Sequence, residues 1–435
     1  MKKNISLFAI FAALLFVNSC TKNDVINNTP IDTKDTSAQV ALDWYKLQLR
    51  FLLERNSSLN AVYFGYIGIG LYESVRNETK NSISLSTKLN QMPAMPDKED
   101  NKSYHWQVSA NAAMAGMVRS FFTGLTPANI VSIDSLENIY NDKLKPASDA
   151  ATFSRSQAFG KNIATAIYNW YLTDNINISN TGYIPPVFPG SWEPTPPAYA
   201  KPINCYFATG RTFIASNLSK VAPAFPFPYS EDVSSDFYKM VKNNYDVSLA
   251  LTAEQKNIAL FWVDQGNGIG YTPNGHQLSL VVQALEQTKS NMAVAAEAFA
   301  KATIAQRDAL IVTFKSKYTY NLLRPATYLR KLIDPNWLPF IPSPPHPEYP
   351  AAHAVVTGAA MQALARVLGD NVTITDHTYD FRGYPTRTYT TLFKAGEEAG
   401  ISRLYGGIHY QQSIVIGLSI AKEIGNTVGD IKVYQ

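Results

Sequence analysis

Cysteine is scarce in this sequence: Cys20 and Cys205 are the only two. A disulfide framework and a cysteine-based metal site within the chain are therefore excluded, and stability must come from a large apolar core. Charge of one sign is missing too. Lys and Arg total 38 against 34 Asp and Glu, a formal net charge of +4 with no basic run, so nothing supports nucleic-acid binding. Long hydrophobic runs are lacking beyond the N-terminus. No stretch of about eighteen residues in the body is apolar and free of charge, which excludes a body of membrane-spanning helices. Histidines number six, and none forms the His-x3-His pair of a helical zinc site. His346, His353 and His409, with Glu348, could be gathered round a cation, but the neighbouring Lys and Arg would repel it. His105 and His377 have no partner pattern and read as surface residues.

What is present begins with a targeting segment. Lys2 and Lys3 precede an apolar run from Ile5 to Val17, too short to span a bilayer, which ends in Val17-Asn18-Ser19-Cys20. This ending resembles the lipobox of bacterial lipoproteins. It implies a signal peptide over 1–19, cleavage before Cys20 and acylation of that cysteine. The expectation is an exported lipoprotein held on a membrane, the outer membrane in the first instance, by its lipid alone. Residues 20–38 are polar and without apolar period, a flexible tether. The folded body is expected over 39–435 as a single domain.

Apolar residues recur at three and four through that body. They predict two helices between Val40 and Arg76, then Trp106–Phe122, Ala128–Leu144 and Phe153–Thr173. Further helices are expected over Ser234–Asn243, Thr252–Asp264, His276–Lys289, Met292–Tyr318, Ala351–Leu368, Tyr389–Leu404 and His409–Gly425. Between Tyr183 and Pro228 prolines alternate with Phe188, Trp192, Tyr199 and Phe207, the pattern of an ordered loop lying on the body. Strand signals are confined to Thr373–Thr375 and Thr386–Tyr389. The fold class is all-α, a helical bundle with long Pro-rich loops and little strand.

Three fragments carry chemistry. Lys317 and Arg324, seven residues apart, are expected on one helix face, with Pro325 ending the helix. Pro350-Ala351-Ala352-His353 opens a helix of small residues, whose unpaired N–H groups make an anion site beside His353. Arg403 and His409 flank Gly406-Gly407, which lets two helix ends converge. Three fixed cations and two histidines suit a tetrahedral oxyanion better than a metal cation.

In this order the fragments resemble the signature of the type 2 phosphatidic acid phosphatase (PAP2) and vanadium haloperoxidase superfamily: Lys-x6-Arg-Pro, Pro-Ser-Gly-His, then Ser-Arg-x5-His-x3-Asp. Lys317, Arg324, Pro325, Pro350, His353, Ser402, Arg403 and His409 match it. Ala351 and Ala352 replace the family's Ser and Gly, and Ser413 stands where the family has Asp. Outside the signature region 317–413, Thr272-Pro-Asn-Gly-His276, Asp308-Ala309, Pro347-Glu-Tyr-Pro350 and Gly190-Ser-Trp-Glu-Pro-Thr-Pro-Pro197 resemble the soluble, haloperoxidase-like branch. The resemblance implies that Lys317, Arg324, Arg403 and the Ala351-Ala352 backbone bind phosphate or vanadate oxygens. It implies that His409 is the nucleophile or the vanadium ligand, and His353 the acid–base group. Asp308, Ser413 and His276 are candidates for support behind them, and Asp264 either orients an arginine or forms a structural ion pair. With the carboxylate at 413 gone, a backbone carbonyl, Asp308 or Glu398 would have to orient His409. The leading expectation is a phosphomonoesterase needing no metal, acting on a small phosphorylated substrate through a phosphohistidine. The alternatives are a vanadate-dependent haloperoxidase using halide and peroxide, and an anion-binding protein with catalysis impaired.

Overall fold

A computed structural model describes residues 36–54, 60–264 and 269–435. The expected signal peptide, Cys20 and most of the tether lie outside these. Among the described residues, thirteen α-helices, six short 3-10 helices and one two-stranded antiparallel sheet make up the regular structure, an all-α architecture. The first half holds α1 (Gln39–Glu54), α2 (Asn60–Val75), α3 (Trp106–Phe121), α4 (Pro127–Leu144) and α5 (Ala150–Tyr171). The long loop follows, then α6 (Asp236–Leu249), α7 (Ala253–Phe261), α8 (Pro273–Gln287), α9 (Met292–Tyr320) and α10 (Pro325–Leu332). The last part holds α11 (Ala352–Leu368), β1 (Ile374–Asp376), β2 (Arg387–Tyr389), α12 (Leu392–Tyr405) and α13 (Gln411–Gly429). Among the described residues, no helix is long and apolar enough to cross a membrane.

Local chemistry starts these helices. Thr126, Asp149, Ser235 and Asn291 each accept a first-turn N–H from their own helix. Thr252 and Gln255 close a reciprocal capping box on α7, and Pro127 and Pro273 occupy first-turn positions where no N–H is missed.

The 29-residue α9 is the axis of the molecule, buried along almost its whole length from Met292 to Lys317. One continuous apolar cluster runs from Ala38 to Val433 around it, so that α2 on one side and α11 on the other share a core. Close approach is built in where the site needs it. A Cβ on Gly396 of α12 would lie 2.6 Å from the Cα of Gly358 in α11, a distance no real Cβ adopts. Only glycines at this crossing bring α12, with Arg403, against α11, with His353.

The Pro-rich stretch is ordered and pinned to the body. Trp192, only 2% exposed, donates its N–H to the Asn321 carbonyl at 2.6 Å, and Leu323 N–H returns to the Gly190 carbonyl at 3.0 Å. Asp308 holds the next part of the loop, accepting from Phe213 N–H at 2.6 Å, Ile214 N–H at 3.0 Å and Asn217 Nδ2 at 2.8 Å.

Two local expectations need correction. Lys317 and Arg324 do not share a helix face. The helix stops at Tyr320 because Asn321 turns left-handed (φ 47°), a conformation asparagine tolerates. Pro325 then begins α10 rather than ending a helix, and Arg324 sits at its N-cap. The last helix starts at Gln411, so His409 lies in the turn before it, not on its first turn.

Candidate active site

His409 follows Gly407, whose φ of +76° lets the chain leave α12 sharply. The imidazole is held at both nitrogens. Nδ1 lies 2.8 Å from Glu348 Oε1, and Nε2 lies 3.1 Å from Arg324 Nη1. A guanidinium can only donate, so Nε2 accepts and the ring proton resides on Nδ1. Burial, with Arg324 and Lys317 close by, pushes His409 well below the usual histidine range and keeps it neutral.

Sequence places Glu348 only beside a zinc set that the neighbouring cations exclude; the structure makes it the hub of this site. It also accepts Tyr410 N–H at 2.9 Å and the Ser413 hydroxyl at 2.6 Å. Burial drives its pKa upward while Lys317, Ser413 and Arg324 pull it back. Three donors and no acceptor face its oxygens, an arrangement suited to a carboxylate. Ser413 thus occupies the aspartate position of the signature without supplying a charge; its hydroxyl anchors the acid that does. Asp308 and Glu398 do not take that part. Asp308 is bound to the loop backbone as described, and Glu398 pairs with Arg387 and accepts from Trp262 Nε1 at 3.0 Å.

Lys317 is fully buried and gives its ammonium to three carbonyls, Pro347 at 2.9 Å, Glu348 at 2.8 Å and Pro350 at 2.6 Å. Arg324 donates to the carbonyls of His346 and Ile408 as well as to His409. Both cations stand behind the wall of the site. Arg403 is at the wall itself. Its Nε donates to Ser402 Oγ at 2.9 Å and its Nη2 to the Trp262 carbonyl, while Nη1 has no protein acceptor among the described residues. Burial lowers Arg403 to about 10, opposed by Asp264.

His353 lies in the first turn of α11, with Nε2 3.2 Å from Asp264 Oδ2. Burial and Arg403 depress it to about 4 against the pull of Asp264, so it too is neutral near pH 7. Of the two expectations for Asp264, an arginine partner or a structural ion pair, the geometry favours the second: the carboxylate faces His276 and His353. The backbone N–H of Ala351 is taken by the Ser413 carbonyl at 3.2 Å. Ala352, His353 and Ala354 keep the orphan first-turn N–H groups of α11. His276 is buried away from the oxyanion position, between Asp264 and Asp376.

A cavity of about 390 Å³ joins these groups. Ala352, His353, Arg403 and His409 line it, beside apolar side chains such as Phe314 and Ile408 and polar ones such as Asn274 and Gln277. His346, missed as a site residue, lines it also, with Nδ1 accepting from Arg324 Nη2 at 3.0 Å. The signal for Glu348 and His346 was their place in a Pro-rich stretch just ahead of the Pro350–His353 fragment, where an acid and a histidine flanked by prolines have no helical or strand duty.

Residues 297–433 match the family described as the VCPO second helical-bundle domain. A crystal structure of the first bacterial vanadium-dependent iodoperoxidase is 30% identical, with a TM-score of 0.79, over 91% of this chain and 97% of that one. A holo-type bacterial vanadium-dependent chloroperoxidase shares the fold at 15% identity and a TM-score of 0.60, over 89% of this chain and 92% of that one. No curated protein sequence matches. The chain belongs to the vanadium haloperoxidase family, within the PAP2/haloperoxidase-like superfamily. It is an enzyme of that family.

Proposed function

We propose that this enzyme is a vanadate-dependent haloperoxidase that oxidises halide, iodide in the first instance, with hydrogen peroxide. The sequence alone ranked phosphomonoester hydrolysis first. The similarity to an iodoperoxidase over nearly the whole chain reverses that order.

One observation carries the reading: a neutral His409 whose Nδ1–H is fixed by Glu348, so that Nε2, which here accepts from Arg324, is the ring nitrogen with a lone pair to offer the oxyanion. The donor set fits a tetrahedral oxyanion. His409 would hold vanadate through Nε2, in place of the hydrogen bond that nitrogen now accepts from Arg324. Arg403 and the first-turn N–H groups of α11 would bind its oxygens, and Lys317 and Arg324 would add positive charge from behind. Bound there, vanadate supplies Lewis-acid activation of peroxide toward halide.

His353 handles the proton. Its Nε2–H is engaged by Asp264, which leaves Nδ1 to accept a proton from peroxide and return it as halide is oxidised. Peroxide, halide and one proton then give hypohalous acid and water.

The test is peroxide-dependent iodide oxidation by the purified body before and after orthovanadate is added, with His409→Ala alongside. Turnover that appears only with vanadate and is lost in His409→Ala is expected. Hydrolysis of a phosphomonoester, with no halide oxidation in the vanadate-treated protein, would restore the phosphatase ranking.

A further inference from the structure

Asp264 poses a problem for an oxyanion site. It is a buried carboxylate that lines the same cavity as Arg403, yet no ion pair joins them among the described residues. An Asp beside an Arg in a dry site would ordinarily pair with it, and a paired arginine is a weaker anion ligand.

The structure shows where Asp264 goes instead. Its Oδ1 takes His276 Nδ1 and the Tyr379 hydroxyl, both at 2.8 Å, and its Oδ2 takes His353. His276 is completely buried, and its other nitrogen, Nε2, lies 2.9 Å from Asp376 Oδ2. Carboxylates at both ring nitrogens require a proton on each, so His276 is an imidazolium. The Trp262 indole stacks on the ring, with centroids 4.2 Å apart and planes 21° apart, a face that favours a cation. Asp376 is itself fixed at Oδ1 by Thr378 N–H at 2.8 Å and Gln283 Nε2 at 3.4 Å. The chain from Asp376 through His276 to Asp264 is therefore rigid, and it ends 3.2 Å from the proposed acid–base histidine.

We propose that His276, held by Asp376, is a positioning residue that supplies Asp264 with its own cation and so keeps that carboxylate off Arg403, leaving the guanidinium for the substrate-side oxyanion. His276 touches no reacting atom; it acts through Asp264. The inference rests on the oxyanion reading of the site, because Arg403 matters here only as an anion ligand.

The experiment uses inorganic phosphate as the probe and isothermal calorimetry as the readout, so neither vanadate loading nor turnover enters. His276→Gln removes the cation and frees Asp264 to swing onto Arg403. Phosphate binding is expected to weaken roughly tenfold or more, the range of a lost charged hydrogen bond. Adding Asp264→Asn removes the competitor. His276→Gln/Asp264→Asn is expected to bind phosphate within about twofold of the wild type, since the arginine is again unpaired. A merely structural histidine would give no such rescue. Asp376→Asn, which leaves His276 in place but loosens it, should show a smaller loss and covers the case where His276→Gln does not fold. Unchanged phosphate affinity in folded His276→Gln, or a double variant as weak as the single, overturns the proposal. A wild-type protein that binds phosphate but never oxidises halide removes the functional reading and leaves this inference standing. A wild type with no affinity for phosphate or vanadate overturns both.

Discussion

Ser413 stands at the place where the family signature has an aspartate, and the charge it lacks arrives from Glu348. The two side chains meet at 2.6 Å although 65 positions separate them. Restoring the family residue should therefore harm this protein. Ser413→Asp would set a second carboxylate against Glu348 in a fully buried place, and one of the two would have to take up a proton. A loss on the order of 3 kcal/mol is expected, read as a lower midpoint in urea unfolding. An unchanged midpoint would mean that Glu348 is not the ionised hub described above. The signature residues themselves were legible, since each fragment carries its own spacing. Glu348 was not legible as their partner, because its role exists only through contacts with His409, Tyr410 and Ser413 that close across the fold.

At the scale of elements, most helices were readable from apolar periodicity, from α1 through α13. Misreadings fell where backbone detail outweighs pattern. Asn321 ends α9 by turning left-handed, and Pro325 opens α10 where a stop was expected. The loop between α5 and α6 was legible as ordered from its aromatics, but its clamp was not, because Asp308 meets Phe213, Ile214 and Asn217 from a helix 91–95 positions away. That clamp makes a prediction. Burial raises Asp308 to about 6, opposed by those three donors. Asp308→Ala would strand buried N–H groups at about 1–3 kcal/mol each and release the loop. Thermal melting should fall by several degrees and proteolysis should move to the loop around Phe213. A variant that melts like the wild type would show that the loop is held by its aromatics alone.

For the molecule as a whole, one continuous core carries a buried charge network, and the network sets how stability depends on pH. His276 is raised to about 10 when folded, so its contribution is complete below the ordinary histidine value and is lost as pH climbs toward 10. Asp264 is depressed by His276 and His353, so its contribution is present above the ordinary carboxylate value and is lost on acidification. His353, lowered to about 4, also favours the unfolded chain as pH falls from about 6.5 toward 4. Stability should accordingly be greatest near neutrality. Between pH 7 and 9 the wild type is expected to lose roughly 2 kcal/mol more than His276→Gln, the linkage of about one proton across that interval. Parallel losses in urea unfolding of the two proteins would show that His276 is not held as an imidazolium.

Glu348 fixes His409 as the neutral ring proposed to hold the oxyanion, and Ser413 only anchors Glu348. Halide oxidation by vanadate-loaded Glu348→Gln, compared with Ser413→Ala in the same assay, separates the two roles. A fall of roughly 10- to 100-fold in kcat for Glu348→Gln, with a markedly smaller one for Ser413→Ala, is the predicted result. Full turnover in a folded Glu348→Gln would contradict it.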